Sequence, residues 1–413
     1  MRPNAATVSR STSGHSFPYS KRFAALSKMP EHLSIGPLSR TSPSLAEDMR
    51  NCGLRAGLAS AAGADRWVLH DPRSWLGIAF HRLMQLAAAG TPEGALEDAW
   101  NTEITAAAQR ATAHPLDRRF GRPEQWPAYY LMRQRALATS KDLAARRPRK
   151  GDSASGTARK ASQSEHTYVA RGGKLIGRPD RLEGDVVIEY KSSLPGADDP
   201  ESEATERYAR QVRIYAAIIA EARGSWPTRG LIAGASGRRL EIEINPNACD
   251  AEADRAVAEL DAWNDTLRKT SAPSDIASPS DDVCAWCRFQ TICPAFWAWM
   301  RTRPSSPFPG PAAAEGAAAD IERGHDGDRF TLFLTDLRST HTILSDQGIV
   351  MRLSLHGEPG PVQRGERRRL VSVRSRGDGR IQASIWTIMA AESALPAILV
   401  QKQSAAPGSA DTR

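Results

Sequence analysis

Apolar positions along the chain follow two rhythms. Over roughly residues 44–145 they recur every three or four places, the period of helices with one buried face. Leu76, Phe80, Leu83 and Met84 share such a face and predict a helix over 74–89, capped by Ser74. Ser44-Leu45-Ala46-Glu47 has the form of a capping box, which predicts a helix from there to about Leu58 that carries Cys52. Two more helices fit roughly 93–110 and 124–145. The segment from Thr167 to Ser193 changes rhythm. Gly172-Gly173 and Glu183-Gly184 mark tight turns and predict a meander of about three strands. A helix over about 204–223 places Tyr208, Val212, Tyr215 and Ile219 on one face. Strands follow at 229–235 and 239–245, where Leu240, Ile242 and Ile244 alternate. Asn245-Pro246 then opens a helix to about Leu267, with proline at its first position.

Three stretches break these rhythms. Residues 1–35 predict a disordered tail, the basic Gly/Ser-rich run 146–166 a flexible loop, and the Pro/Ala/Gly-rich run 303–328 a linker. Beyond the linker Met351, Leu353 and Leu355 alternate, as do Val371 and Val373, so 329–400 predicts a small all-β domain before a tail at 401–413. The main domain, 36–302, predicts α/β architecture, a mixed central sheet with helices on both faces.

Composition narrows the class. The 413 residues carry a formal net charge of +8 and a pI near 9.4, which favours nucleic acid or another anionic partner. No run of about 18 apolar residues predicts a membrane span, and the expected compartment is the cytoplasm. The first thirty residues lack both an apolar h-region and any acid, Glu31 being the first. That composition fits a disordered tail, an early start codon or a transit peptide. The five cysteines, Cys52, Cys249, Cys284, Cys287 and Cys293, are odd in number with three clustered, which points to metal rather than to a secreted disulfide framework. No P-loop signature occurs, so a separate helicase would have to drive any unwinding.

The densest chemistry lies in Gly177-Arg178-Pro179-Asp180, followed nine residues later by Glu189-Tyr190-Lys191. Glu189 and Lys191, two apart on a strand, share a face, and the turn near Gly184 brings the strand of Asp180 beside them. Two carboxylates so placed offer hard oxygen ligands to Mg²⁺, and a neighbouring lysine can position water and offset phosphate charge. The set suits phosphodiester hydrolysis; acid and lysine alternation is also the ordinary look of a solvated strand. Gly77 and His81 lie four apart on one helical face. The glycine admits a neighbouring element, and the histidine is either a further ligand or a plain helix residue. Gln211 and Tyr215, also four apart, are an ordinary helix pair or contacts to a substrate backbone.

Taken in chain order, GIAFH (Gly77 to His81), GRPD ending at Asp180, IEYK (Ile188 to Lys191) and QVRIY (Gln211 to Tyr215) resemble the RecB-like branch of the PD-(D/E)XK nucleases, over roughly residues 36–300. The resemblance implies a restriction-endonuclease-like fold. It implies that His81, Asp180, Glu189 and the backbone carbonyl of Tyr190 bind Mg²⁺ or Mn²⁺, that Asp180, Glu189 and Lys191 are catalytic, and that Gln211 and Tyr215 line the DNA path. Its substrate would be single-stranded or end-containing DNA, with the 5′ phosphate left on the product.

Cys284-x-x-Cys287 and Cys293 supply three ligands, and a tetrahedral site wants a fourth. Cys249 is nearer in sequence. In the iron–sulfur subgroup, which includes the CRISPR-associated RecB-like nucleases and the nuclease domain of AddB, one cysteine precedes the core and three follow it. The resemblance therefore implies a [4Fe–4S] cluster on Cys52, Cys284, Cys287 and Cys293, with Cys249 a buried apolar residue. Zinc or unligated thiols are the alternatives. Gly53 stands where the family commonly has proline, and 146–166 looks inserted.

The β unit holds seven arginines between Arg364 and Arg380, opposed by Glu366 and Asp378. A small barrel with such a stripe resembles an OB-type fold that binds single strands, with Trp386 stacking a base; a solvated face with Trp386 in the core fits the same pattern. Three functions stand at this point: a Mg²⁺- or Mn²⁺-dependent DNA nuclease serving repair, recombination, CRISPR or phage defence; a non-catalytic module that holds DNA ends for a partner; and a structural zinc protein.

Overall fold

The computed structural model describes residues 32–114, 116–146, 163–164, 166–194, 202–303, 308–323, 329–340, 351–356, 362–375, 381–382 and 386–401. Strand β1 (His32–Ile35) precedes helices α1 (Pro43–Asn51), α2 (Gly53–Ser60), α3 (Pro72–Ala89), α4 (Glu93–Ala113) and α5 (Tyr129–Ala145). Short strands β2 (Gln163–Ser164), β3 (Tyr168–Ala170), β4 (Leu175–Gly177) and β5 (Arg181–Glu183) lead to the longer β6 (Val186–Lys191). Helix α6 (Glu203–Arg223), strands β7 (Arg229–Gly234) and β8 (Arg239–Ile242), and helices α7 (Pro246–Lys269), α8 (Asp281–Ala285) and α9 (Pro294–Thr302) complete the first region. The rest is β9 (Ala312–Arg323), β10 (Arg329–Ser339), β11 (Met351–His356), β12 (Arg367–Ser375), β13 (Ile381–Gln382), β14 (Ile388–Ala391) and β15 (Ala397–Val400).

The central sheet runs β2-β5-β6-β7-β8 and is mixed: β6 and β7 are parallel, the other pairs antiparallel. Alternation along β6 divides its two faces. Val187 packs with Val212 and Ile219 of α6, while Ile188 and Tyr190 pack with Phe80 and Leu83 of α3 and Trp100 of α4. Helices thus cover both faces, as the sequence predicts. The expected meander resolves into two hairpins in different sheets, β3–β4 and β5–β6. Gly172, Gly173 and Gly184 turn them at φ of +62°, +89° and +59°. Among the described residues no helix is long and apolar enough to cross a membrane.

Several expectations need correction. The helix expected over 44–58 is two helices. Its cap is Ser42, whose Oγ accepts from the Leu45 amide at 3.3 Å, because Pro43 fills the first position, where no N–H is needed. Cys52 then leaves the helix in an extended conformation (φ −164°, ψ 108°) before α2 begins at Gly53. That glycine is required sterically: a Cβ there would lie 2.8 Å from the Ile276 carbonyl oxygen and 3.1 Å from the Trp263 ring. Pro72 likewise moves the start of α3 back, and Asp71 rather than Ser74 caps it, accepting from the Arg73 amide at 2.9 Å.

The C-terminal half departs furthest. Residues 312–323 of the expected linker are strand β9, central in an antiparallel sheet ordered β11-β10-β9-β12-β13, with β14 also on β12. Its alanines hide it from a β-propensity reading, yet Ala312, Ala313, Ala314 and Ala318 are buried. This sheet packs against the first region. Ala313, Val371 and Ile388 share an apolar cluster with Cys284, Phe296 and Trp297, and Arg303 bonds both Asp281 (2.6 Å) and the Thr340 carbonyl (2.5 Å). Trp386 packs on Phe120 with ring centroids 4.7 Å apart, half-buried at the edge of the cluster beneath α3. Arg368 and Arg369 are buried against Glu366 and Glu392, and Arg367 reaches Asp336, so these three arginines are spent inside the sheet. Arg364 and Arg374 are exposed; Arg376 and Arg380 lie outside the described residues.

Residues 32–35, expected within a disordered tail, form a buried strand. β1 pairs in parallel with β15 from His32↔Ala397 to Ile35↔Val400, and Leu33 and Ile35 are 0% and 1% exposed. Residues 1–31, 402–413 and most of the 146–166 stretch lie outside the described residues.

Candidate active site

Asp180 sits in the turn just before β5, not on the strand itself. The register Arg181↔Ile188 nevertheless carries it to the level of Glu189. Its Oδ2 accepts from the Tyr190 amide at 2.6 Å, and its Oδ1 lies 3.1 Å from His81 Nδ1 on α3. Glu189 and Lys191 point the same way from β6, and Lys191 Nζ donates to Glu189 Oε1 at 2.8 Å. Gln211 on α6 closes the set. Its Oε1 accepts from Lys191 Nζ (2.9 Å), and its Nε2 donates to Glu189 Oε1 (3.0 Å) and to the Tyr215 hydroxyl (3.1 Å). The sequence-predicted residues His81, Asp180, Glu189, Tyr190, Lys191, Gln211 and Tyr215 therefore meet in one place.

Glu189 is the pivot. It is 4% exposed, and its Oε2 is buried with no hydrogen-bond partner among the described residues. Burial, then the charge of Asp180, pushes its pKa up to about 7; Lys191 offsets this only in part. Burial opposes protonation of His81, but the hydrogen bond and charge of Asp180 outweigh it and raise its pKa. Tyr215 is raised by burial and by Glu189. An unpaired carboxylate oxygen beside a second carboxylate is the donor set of a hard divalent cation.

Two residues differ from their sequence reading. Tyr208, expected only as a core-face residue of α6, has Lys191 Nζ 4.9 Å from its ring centroid, a cation–π contact that helical spacing does not signal. Gly77 is not sterically needed: a Cβ there would meet Ser192 at 3.6 Å, an ordinary contact. Gly177 of GRPD is, because a Cβ would stand 2.7 Å from Ile218 and 2.9 Å from Tyr215. Beside this cluster, Tyr208 and Gln211 line an open groove of about 570 Å³ with Arg50, Arg55, Arg207 and Arg288.

Cys52, Cys284, Cys287 and Cys293 line one small cavity of about 20 Å³, with Arg55, Gln290 and apolar groups such as Leu58, Val283 and Phe296. Cys249 is elsewhere, fully buried in the core beneath α6 and α7. Cys52 is on that wall because the helix breaks there, between α1 and α2. Burial pushes the thiols up, Cys287 to about 11 and Cys284 to about 12, with Cys293 raised further by burial.

No curated protein matches the chain. The family model of the PD-(D/E)XK nuclease superfamily matches residues 40–294, a span that includes the acidic pair, the lysine and all the cysteines. That span is well over half of the 413 residues, and it bounds the geometry just described: the chain belongs to the PD-(D/E)XK nuclease superfamily.

Proposed function

We propose that this superfamily member is a RecB-like deoxyribonuclease, dependent on Mg²⁺ or Mn²⁺, that works in the cytoplasm as an exonuclease on single-stranded or end-containing DNA. The observation that carries the reading is Glu189 Oε2. A buried carboxylate oxygen left without a partner is costly unless a cation meets it. Asp180 and Glu189 would hold the metal, with His81 and the Tyr190 carbonyl completing the ligand set. When bound, the metal activates water and stabilises charge on the phosphate. Lys191, anchored by Glu189 and Gln211, presents its ammonium to the reacting phosphate at no cost in reorganisation. Gln211 and Tyr215 orient the strand, and the arginines of the adjoining groove receive its phosphates.

In the same reading Cys52, Cys284, Cys287 and Cys293 hold a [4Fe–4S] cluster, zinc being the alternative. The support is their common wall and the burial that favours the protonated thiols of Cys284, Cys287 and Cys293 until a metal displaces the protons. The cluster would fasten the α1–α2 break to the segment between α8 and α9. The chain would serve repair, recombination or CRISPR and phage defence, beside a separate helicase or defence partner.

The test is anaerobic purification, a visible spectrum with iron and zinc analysis, and incubation with labelled single-stranded DNA and Mn²⁺ beside Lys191→Ala. Brown protein that cuts DNA only with Lys191 intact is the expected result. Brown but inactive wild type would sink the enzyme and leave a DNA-end-binding module. Colourless, zinc-loaded, inactive protein would sink both halves.

A further inference from the structure

A second group of ligand-type side chains meets beyond the C-terminus of α4. Asp117, 1% exposed, has its Oδ2 2.6 Å from His70 Nδ1 and 3.0 Å from His114 Nδ1. One ligand atom from each of the three lies within 4.8 Å of the others. Two details set the trio apart from a surface ion pair. Asp117 Oδ1 is buried with no hydrogen-bond partner among the described residues. His114 Nε2 stands 3.2 Å from the Asp65 carbonyl oxygen, which can only accept, so Nε2 carries a hydrogen.

That hydrogen constrains the other ring nitrogen. His114 Nδ1 faces the carboxylate with either a second proton or a lone pair, and the Leu116 amide donates to it at 3.3 Å, which favours the lone pair. A lone pair 3.0 Å from a carboxylate oxygen is repulsive unless both face a cation. One ring N–H given to a backbone carbonyl, with the other nitrogen turned to a ligand set, is the outer-shell arrangement of metal-binding histidines.

We propose that His70, His114 and Asp117 form a second metal site, for a divalent ion of the zinc class. Two imidazoles and one carboxylate suit zinc, whereas the oxygen donors of Asp180 and Glu189 suit magnesium. His70 also lines a cavity of about 360 Å³ with Arg73, Arg119, Arg288 and Arg374, which gives the ion a way in and leaves a fourth position for water or an anion. The ion ties the turn after α4 to the segment entering α3, the helix that bears His81.

The test uses the full chain with its iron and thiol contents measured. Wild type and Asp117→Asn are stripped with a chelator and titrated with Zn²⁺ against a fluorescent zinc indicator. Any zinc on the cysteines is common to both, so the difference isolates this site. Wild type should take up one further equivalent, with affinity at least about 10–100-fold above the variant, and zinc should raise the melting temperature of wild type alone. Equal uptake by the two proteins overturns the proposal. So does a wild type whose melting responds to pH and not to zinc, the behaviour of a hydrogen-bonded imidazolium. If Asp117→Asn does not fold, X-ray absorption at the zinc edge of wild type decides. A nitrogen and oxygen shell supports the site; sulfur alone, or no bound zinc, overturns it.

Discussion

Glu189 carries opposite demands in its two oxygens. Oε1 is satisfied by Lys191 and Gln211, while Oε2 has no partner among the described residues and burial favours its proton. Its folded pKa of about 7 lies above the ordinary carboxylate value of 4.5. In metal-free protein its protonation therefore adds stability that is fully present below pH 4.5 and lost as pH rises through 7. Thermal melting in chelator should show this trend, and Glu189→Gln should flatten it. Metal binding needs the deprotonated form, so Mn²⁺ affinity should weaken roughly tenfold per pH unit below 7. Calorimetric titration at several pH values checks this; a flat profile would remove Glu189 from the ligand set. Gln211→Ala should slow single-turnover cleavage by on the order of tenfold or more with little change in melting, because Lys191 loses one of two acceptors that aim it.

Elements were legible in the sequence where one period governs many residues. The helices α3 to α7 and the strand of Glu189 appear close to where spacing places them. Their ends were not, because Pro43 and Pro72 move each start forward of the cap that the pattern suggested. The candidate site was legible for a related reason. Glu189 and Lys191 are set by period 2 and Gln211 and Tyr215 by helical spacing, whereas Tyr208 meets Lys191 across two elements, which no local pattern encodes. Spacing could not choose between Cys52 and Cys249; the choice lies in the break at Gly53, which Trp263 and Ile276 impose from distant segments. β9 was illegible because alanine carries little strand signal, and its pairing with β10 and β12 supplies what propensity lacks. Two glycine substitutions test the packing between elements. Gly177→Ala should destabilise by about 1–3 kcal/mol, since Tyr215 and Ile218 of α6 must shift. Gly77→Ala, within a helix and with only an ordinary contact to Ser192, should stabilise by roughly 0.5–1 kcal/mol. Denaturant melts of both variants give the comparison, and equal effects would contradict it.

At the scale of the whole molecule, the C-terminal sheet and the nuclease core share apolar clusters and ion pairs. Arg301 of α9 reaches the buried Glu315 of β9, and Phe120 carries Trp386. Removal of residues 396–413 should lower the melting temperature and expose His32–Ile35 to protease, because Leu33 and Ile35 lose the strand that covers them. Leu33→Ala should cost about 2–5 kcal/mol by the same route. A truncated protein that melts and resists protease like the full chain would refute the dependence.

The parallel pairing of β1 with β15 also sets an order of events at the ribosome. His32 emerges early and its partner Ala397 emerges 397 − 32 = 365 residues later. At about 5–20 residues per second, roughly 20–70 s separate the two. During that interval Leu33 and Ile35 can pack on early neighbours such as Leu54 and Trp67 but lack their strand partner, so this pairing is among the last pieces of the described structure to become permanent.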